Sequence, residues 1–143
     1  MKVGSKIVID ASVALKWALP EEKDVSIALQ LKQDFLRKDF ISFVPVHFMT
    51  EIFNTLVRRT PTTALSALSF FLMAPFHVSF LSLEIAGLAH GLMKRYAKIS
   101  FYDAFYHALA IQRDATFITA DEEYYRTVKK EGHILLLKDY GRE

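Results

Sequence analysis

Apolar positions along the chain recur at two periods, and the switches between them mark its elements. "KIVID" (6–10) is a short β-branched run with the character of a buried strand. After it, Val25, Ala28, Leu31 and Phe35 follow helical spacing in a segment opened by "PEE" (20–22) and closed by "RKD" (37–39). "ISFVP" (41–45) reads as a second strand ended by proline. "VHFMTEIFNTLVRR" (46–59) is helical, with Phe48, Met49, Ile52, Phe53 and Leu56 on its apolar side. "HVSFL" (77–81) reads as a third, buried strand. "SLEIAGLAHGLMKRYA" (82–97) is an amphipathic helix that aligns Ile85, Leu88, Leu92 and Tyr96. "SFYDAFYHALAI" (100–111) is a helix apolar on almost every face, and "ATFIT" (115–119) is a fourth strand. "DEEYYRTVKKEG" (121–132) has the acids, lysines and stop glycine of a helix, and "ILLL" (134–137) closes the series as a fifth strand.

Strands that alternate with helices predict a three-layer α/β/α domain, its parallel sheet covered on both faces. No repeat, low-complexity tract or linker divides the chain, so residues 1–143 are expected to form one domain. A chain of 143 residues buries roughly 68–70% of its unfolded surface, enough for a single core.

One segment tests that reading. Thr60 to Leu83 carries no charged residue, a length that would suit a membrane span. Pro75 splits it, His77 follows, and the part before Pro75 is too short to cross a bilayer as a helix. The segment is therefore read as a helix followed by a strand, with no membrane association. An uncharged helix of this kind exposes an apolar surface that calls for a cover, which points to a subunit contact and a homodimer.

Composition narrows the chemistry. The absence of cysteine excludes disulfides and thiolate metal sites and is compatible with a reducing compartment. "MKVGSKIVID" lacks the long apolar run and cleavage site of a secretory signal, so a cytoplasmic location is expected. A formal charge of +2 permits a polyanionic partner without requiring one.

Four acids then stand out: Asp10, Glu51, Asp103 and Asp121. Each alone has an ordinary role. Asp10 suits the cap of a helix starting at Ala11, and Glu51 shares a polar stripe with Asn54, Thr55 and Arg58. Ser100 and Asp103 have capping-box spacing, and Asp121 suits an N-cap. Together they suggest one crevice. Asp10 and Asp121 end the first and fourth strands, which would be neighbours at the switch point of a sheet ordered 3-2-1-4-5. Glu51 follows the second strand, and Asp103 begins the helix that leads into the fourth.

Such a cluster must hold protons or bind a cation. Two carboxylates about 4 Å apart repel by roughly 4 kcal/mol at an effective dielectric near 20. Oxygen donors without cysteine select Mg²⁺ or Mn²⁺ over zinc. One or two such ions can serve phosphodiester cleavage.

On these pieces the chain resembles the PIN-domain family, and within it the small VapC-type toxin ribonucleases. The matching segments are "VIDAS" (Asp10, Ser12), "TEIFN" (Glu51, Asn54), "YDAFYHALA" (Asp103) and "FITAD" (Thr119, Asp121), spread from about Lys6 to Leu137. The resemblance implies a five-stranded sheet in the order 3-2-1-4-5 and Mg²⁺- or Mn²⁺-dependent cleavage of RNA that leaves a 5′-phosphate and a 3′-hydroxyl. It implies that Asp10, Glu51, Asp103 and Asp121 are the catalytic, metal-holding acids, with Glu51 direct or through water. Ser12 and Thr119 correspond to helper hydroxyls, and Asn54 to a group that supports Glu51.

The resemblance also implies a small antitoxin partner and a dimer. Housekeeping RNA processing, or a non-catalytic scaffold that binds RNA or protein, are the alternatives. His107 stands where an aliphatic residue is usual, and either packs or hydrogen-bonds Asp103. Glu122 and Glu123 either supplement Asp121 or favour the helix start. Arg58 and Arg59 are candidate phosphate contacts, as are two further basic groups, Lys94, Arg95 and Lys98, and Arg126, Lys129 and Lys130, although cations at helix ends are ordinarily just solvated. A receiver-type phosphoacceptor would need an aspartate after the third strand, and "HVSFLSLEIA" has none. An aspartyl phosphatase would need a second aspartate at position 12, which is serine.

Overall fold

The computed structural model describes residues 4–19 and 22–142. Pro20 and Glu21, which open the first helix signal, lie outside the described residues. Strand β1 (Lys6–Ile9) leads into a short helix α1 (Ala11–Ala14) and a 3₁₀ turn at Leu15–Trp17. Helix α2 (Val25–Leu36), strand β2 (Ile41–Pro45), helix α3 (Phe48–Arg59) and helix α4 (Ala64–Met73) follow. Strand β3 (Phe76–Ser79) precedes helices α5 (Leu83–Arg95) and α6 (Phe101–Arg113). Strand β4 (Thr116–Thr119), helix α7 (Glu122–Val128) and strand β5 (Ile134–Leu136) complete the described chain.

The five strands form one parallel sheet in the order β3-β2-β1-β4-β5, with helices on both sides. Ile7, Val8 and Ile9 of β1 are fully buried at its centre. In register, Val8 lies between Phe43 of β2 and Phe117 of β4. Such near-continuous apolar strands are what a sheet covered on both faces requires. Successive strands run outward from β1 to β3, then restart on its other side at β4. The chain therefore opens a crevice at the carboxyl ends of β1 and β4.

Helix α6 crosses β2, β1 and β4 and packs along α5. Its residues Ala104 to Ala110 are all buried, as the apolar faces of its sequence predict. An aromatic cluster around Trp17, with Phe35, Phe71 and Phe76 stacked on it, joins the first 3₁₀ turn to α2, α4 and β3. The Trp17 indole N–H donates to the Ala28 carbonyl at 2.8 Å, so its polar edge is satisfied inside that cluster.

The third strand differs from its sequence reading. It spans Phe76–Ser79, not 77–81, and it is only partly buried: Ser79 is buried and Phe76 half-buried, but His77 and Val78 are exposed. Phe80 and Leu81 lie beyond its end and are exposed as well. As the outermost strand, β3 pairs only with β2, so its run of apolar residues is not matched by a cover. The uncharged 60–83 segment becomes ten-residue α4 plus this edge strand. Among the described residues, no helix is long and apolar enough to cross a membrane.

Candidate active site

Asp10 follows β1, and its backbone N–H donates to the Ile118 carbonyl of β4 at 3.0 Å. The residue stands at the N-cap position of α1, yet its carboxylate makes no capping hydrogen bond. Instead Oδ2 accepts from the Thr119 hydroxyl at 2.7 Å and from the Ser12 hydroxyl at 3.0 Å. Those two hydroxyls are themselves fixed. Ser12 Oγ accepts from the Ala120 N–H, and Thr119 Oγ1 from the Asp121 N–H. Burial pushes the Asp10 carboxyl up to about 6, with the Asp103 charge adding to the rise and the two hydroxyls opposing it.

Glu51 sits in the first turn of α3, half-buried rather than on a solvent-facing stripe. Its Oε1 accepts from the Tyr106 hydroxyl of α6 at 2.8 Å, with His47 Nε2 at 3.4 Å from the same oxygen. Burial raises Glu51 to about 7, the Tyr106 hydrogen bond opposes this, and the charges of Asp10 and Asp103 add to it.

Asp103 is the third residue of α6, and its backbone N–H donates to Ser100 Oγ at 3.1 Å. The serine half of the capping box read from the sequence is thus present, with Ser100 Oγ as the acceptor. It does not neutralise the acid, whose pKa is raised by burial and by the Asp121 charge against the Ser100 hydrogen bond. Asp121 is the N-cap of α7, and its Oδ1 accepts from the Tyr124 N–H at 2.9 Å. Asp103 and Asp121 line a cleft of about 180 Å³ with Lys98, Glu123 and Tyr124.

The four acids come from four separate elements and act on one another. Asp10 feels Asp103, Glu51 feels both, and Asp103 feels Asp121. Several cations pair with other acids, Lys16 and Arg59 with Glu22, Arg37 with Asp34 and Asp39, Arg95 with Glu131, and Lys138 with Glu122, whereas Lys98 lines the cleft itself. A hard divalent cation fits this donor set chemically, since every donor is a carboxylate or hydroxyl oxygen. Among the described residues, no three His, Asp or Glu stand closely enough to enclose an ion.

Some expected residues fall outside the cleft. Asn54 is exposed, and its oxygen faces Arg58 Nε at 3.5 Å. The group that holds Glu51 is Tyr106, which the sequence reading passed over. Arg59 pairs with Glu22 at 3.0 Å. Glu122 turns to Lys138 and Lys23, which leaves Glu123 beside Asp121 in the cleft. Lys98, one of the basic candidates, lines the cleft, and Tyr124, which the sequence does not mark as a site residue, stands beside it. The one available signal for Tyr124 is its position, three residues after Asp121. His107 is fully buried and bonds Tyr124 and the Gly132 carbonyl.

Residues 7–130 match the family model of the PIN domain. The chain belongs to the PIN-domain family. No curated protein matches it in sequence. Its fold is similar to that of VapC20 from Mycobacterium tuberculosis, a toxin that cleaves the sarcin-ricin loop. The TM-score is 0.67 at 18% identity, over 84% of this chain and 93% of that one. It is similar also to a toxin–antitoxin complex from Klebsiella pneumoniae, with TM-score 0.67 at 14% identity over 92% of this chain and 97% of that one. VapBC2 of Rickettsia felis, bound to a DNA fragment from its promoter, gives TM-score 0.66 at 15% identity over 92% and 96%. At such identities the shared property is the fold. In this PIN domain the sheet order leaves Asp10 and Asp121 on neighbouring strand ends, and α3 and α6 bring Glu51 and Asp103 to them.

Proposed function

We propose that this PIN domain is an Mg²⁺- or Mn²⁺-dependent endoribonuclease and the toxin of a toxin–antitoxin pair. The observation that carries the reading is the gathering of Asp10, Glu51, Asp103 and Asp121 from four elements into one repelling set. Family membership and the toxins that share the fold support the nuclease and toxin assignments.

When bound, a divalent cation supplies Lewis-acid stabilisation of developing charge and activates a water for attack on phosphorus. The protein's part is placement. Thr119 and Ser12 fix the oxygen of Asp10 from two sides, and Tyr106 fixes one oxygen of Glu51. Asp103 and Asp121 are set by the helix starts on which they sit. Lys98, at the rim of the same cleft, is placed to meet an RNA phosphate. Hydrolysis leaves a 5′-phosphate and a 3′-hydroxyl. The apolar side chains exposed on α4, Leu65, Leu72 and Met73, suit the contact of a homodimer, and a small antitoxin is the regulatory partner.

The deciding experiment is cleavage of a mixed RNA pool by the purified protein in Mn²⁺, beside Asp103→Asn, with Mn²⁺ calorimetry on both. Metal-dependent cutting that vanishes in the variant is the expected result. Equal cutting by the two proteins, or an absence of Mn²⁺ binding by the wild type, overturns the reading.

A further inference from the structure

His107 is the one fully buried histidine on α6, and both of its ring nitrogens are engaged. Nε2 lies 2.8 Å from the Gly132 carbonyl oxygen, which can only accept, so Nε2 carries the proton. Burial disfavours the charged ring and lowers its pKa, so Nδ1 is a bare acceptor. The Tyr124 hydroxyl, 3.0 Å away, therefore donates to Nδ1. The chemistry of the partners thus fixes the direction of the whole chain of bonds.

The ends of that chain matter more than its middle. His107 lies four residues after Asp103, one turn along the same helix. Tyr124 lies three residues after Asp121, and its backbone N–H is the donor that Asp121 caps. The His107–Tyr124 bond thus joins the helix that carries Asp103 to the helix that carries Asp121. Those two carboxylates repel, which works to part the helix starts. The far side of the bond is anchored as well. Gly132 holds a φ of +75°, a conformation natural to glycine, and presents its carbonyl to His107. Its neighbour Glu131 is clamped to the end of α5 by Arg95 Nη2 at 2.7 Å and the Tyr96 hydroxyl at 2.6 Å.

We propose that His107 and Tyr124 are positioning residues, a buried brace from α5 through α6 to α7 that sets the spacing of Asp103 and Asp121 and thereby the cation affinity of the cleft. The inference rests on the reading of these acids as a cation site. Neither side chain is required to touch the ion. A hydroxyl buried on the wall of an acidic cleft and spent on a histidine behind it, rather than on an acid in front, is the mark of a support.

The test is Mn²⁺ titration calorimetry on the full chain, with thermal unfolding in parallel, for wild type, Tyr124→Phe, Asp121→Asn and the double variant. Leu31→Val in α2, away from the cleft, serves as a control for general destabilisation. Tyr124→Phe removes one oxygen and keeps the ring contacts with His107 and Phe117. It is expected to weaken Mn²⁺ binding roughly tenfold, the scale of losing a supporting group behind a metal ligand. Leu31→Val is expected to leave the affinity unchanged. On the Asp121→Asn background Tyr124→Phe is expected to add nothing, because its effect passes through the placement of that acid.

Wild-type affinity in Tyr124→Phe overturns the brace, and so do fully additive effects or an equal loss in Leu31→Val. If Tyr124→Phe does not fold, His107→Gln, which retains an amide donor for the Gly132 carbonyl, is read by the same criteria. A wild type that binds no Mn²⁺ overturns the cation-site reading itself, and the brace with it.

Discussion

The Thr119 hydroxyl donates to Asp10 Oδ2 at 2.7 Å, a bond between residues 109 positions apart that the sheet order makes neighbours. Both groups are buried, so the bond matters most when Asp10 is ionised and has no water to replace it. Thr119→Val keeps the shape and removes the donor. At pH 8 it is expected to destabilise the metal-free protein by about 1–3 kcal/mol. At pH 5, below the raised pKa of Asp10, the cost should be smaller, because a neutral carboxyl needs the donor less. Urea unfolding at the two pH values measures the difference, and an equal cost at both pH values contradicts the assignment.

Asp10 also makes stability depend on pH in an unusual direction. Its folded pKa, about 6, lies above the unfolded value near 3.8. Between these values the native state holds more protons than the unfolded one, so stability falls as pH rises. The loss from Asp10 is on the order of 3 kcal/mol and is complete once pH exceeds about 6. Glu51, raised to about 7, extends the decline in the same direction. Metal-free protein in chelator is therefore expected to melt lower at pH 8 than at pH 5. Asp10→Asn should flatten the profile, and a melting temperature that rises over this range in the wild type contradicts it.

Cation binding should reverse that loss. A ligand that binds only the folded state stabilises by about 2.7 kcal/mol at a hundredfold excess over its Kd. Mn²⁺ is expected to raise the melting temperature at pH 8, and chelation to return it. Asp103→Asn, with one repulsion removed, should be at least as stable as wild type without metal and should lose the Mn²⁺ increment. Calorimetry with and without Mn²⁺ checks both halves.

Much of this site is visible in the sequence because its acids occupy positions with local signatures. Asp10 ends a β-branched run, Asp121 precedes "EEYY", and Asp103 follows Ser100 at capping-box spacing. Strands that alternate with helices carried the sheet. What was not legible depends on tertiary packing. Tyr106 reaches Glu51 across 55 positions because α6 lies against the start of α3, and no periodicity encodes that. Asn54 shares the helix of Glu51 but faces Arg58, one helical turn on. Val78 and Phe80 look like core residues by composition, yet the place of β3 at the sheet edge exposes them. His107 could be foreseen as buried, whereas its partners, 17 and 25 positions away, could not.

The exposed apolar side chains of α4 bear on assembly. Leu65, Leu72 and Met73 stand 74%, 60% and 84% exposed, more than scattered surface apolars usually are on one short helix. If this face is the homodimer contact, Leu72→Glu is expected to shift the protein from dimer to monomer in light scattering, and to leave the melting temperature of dilute samples nearly unchanged. A wild type that is monomeric at high concentration removes the dimer from the proposal.

Tyr106 offers the sharpest separation of support from chemistry. Its hydroxyl donates to Glu51 and opposes the rise in that acid's pKa. Burial and the charges of Asp10 and Glu51 hold the phenol itself neutral, so it keeps its proton to donate to Glu51 throughout the working range. Tyr106→Phe leaves the ring stacked on Phe117 and takes away the donor. Glu51 should then titrate higher, since the hydrogen bond that favoured its ionised form is gone. In Mn²⁺-dependent RNA cleavage, the acidic limb of kcat/KM should move to higher pH, while the rate on the alkaline plateau changes less. A uniform fall at every pH, with the limb in place, would show that Tyr106 shapes the cleft rather than the charge of Glu51.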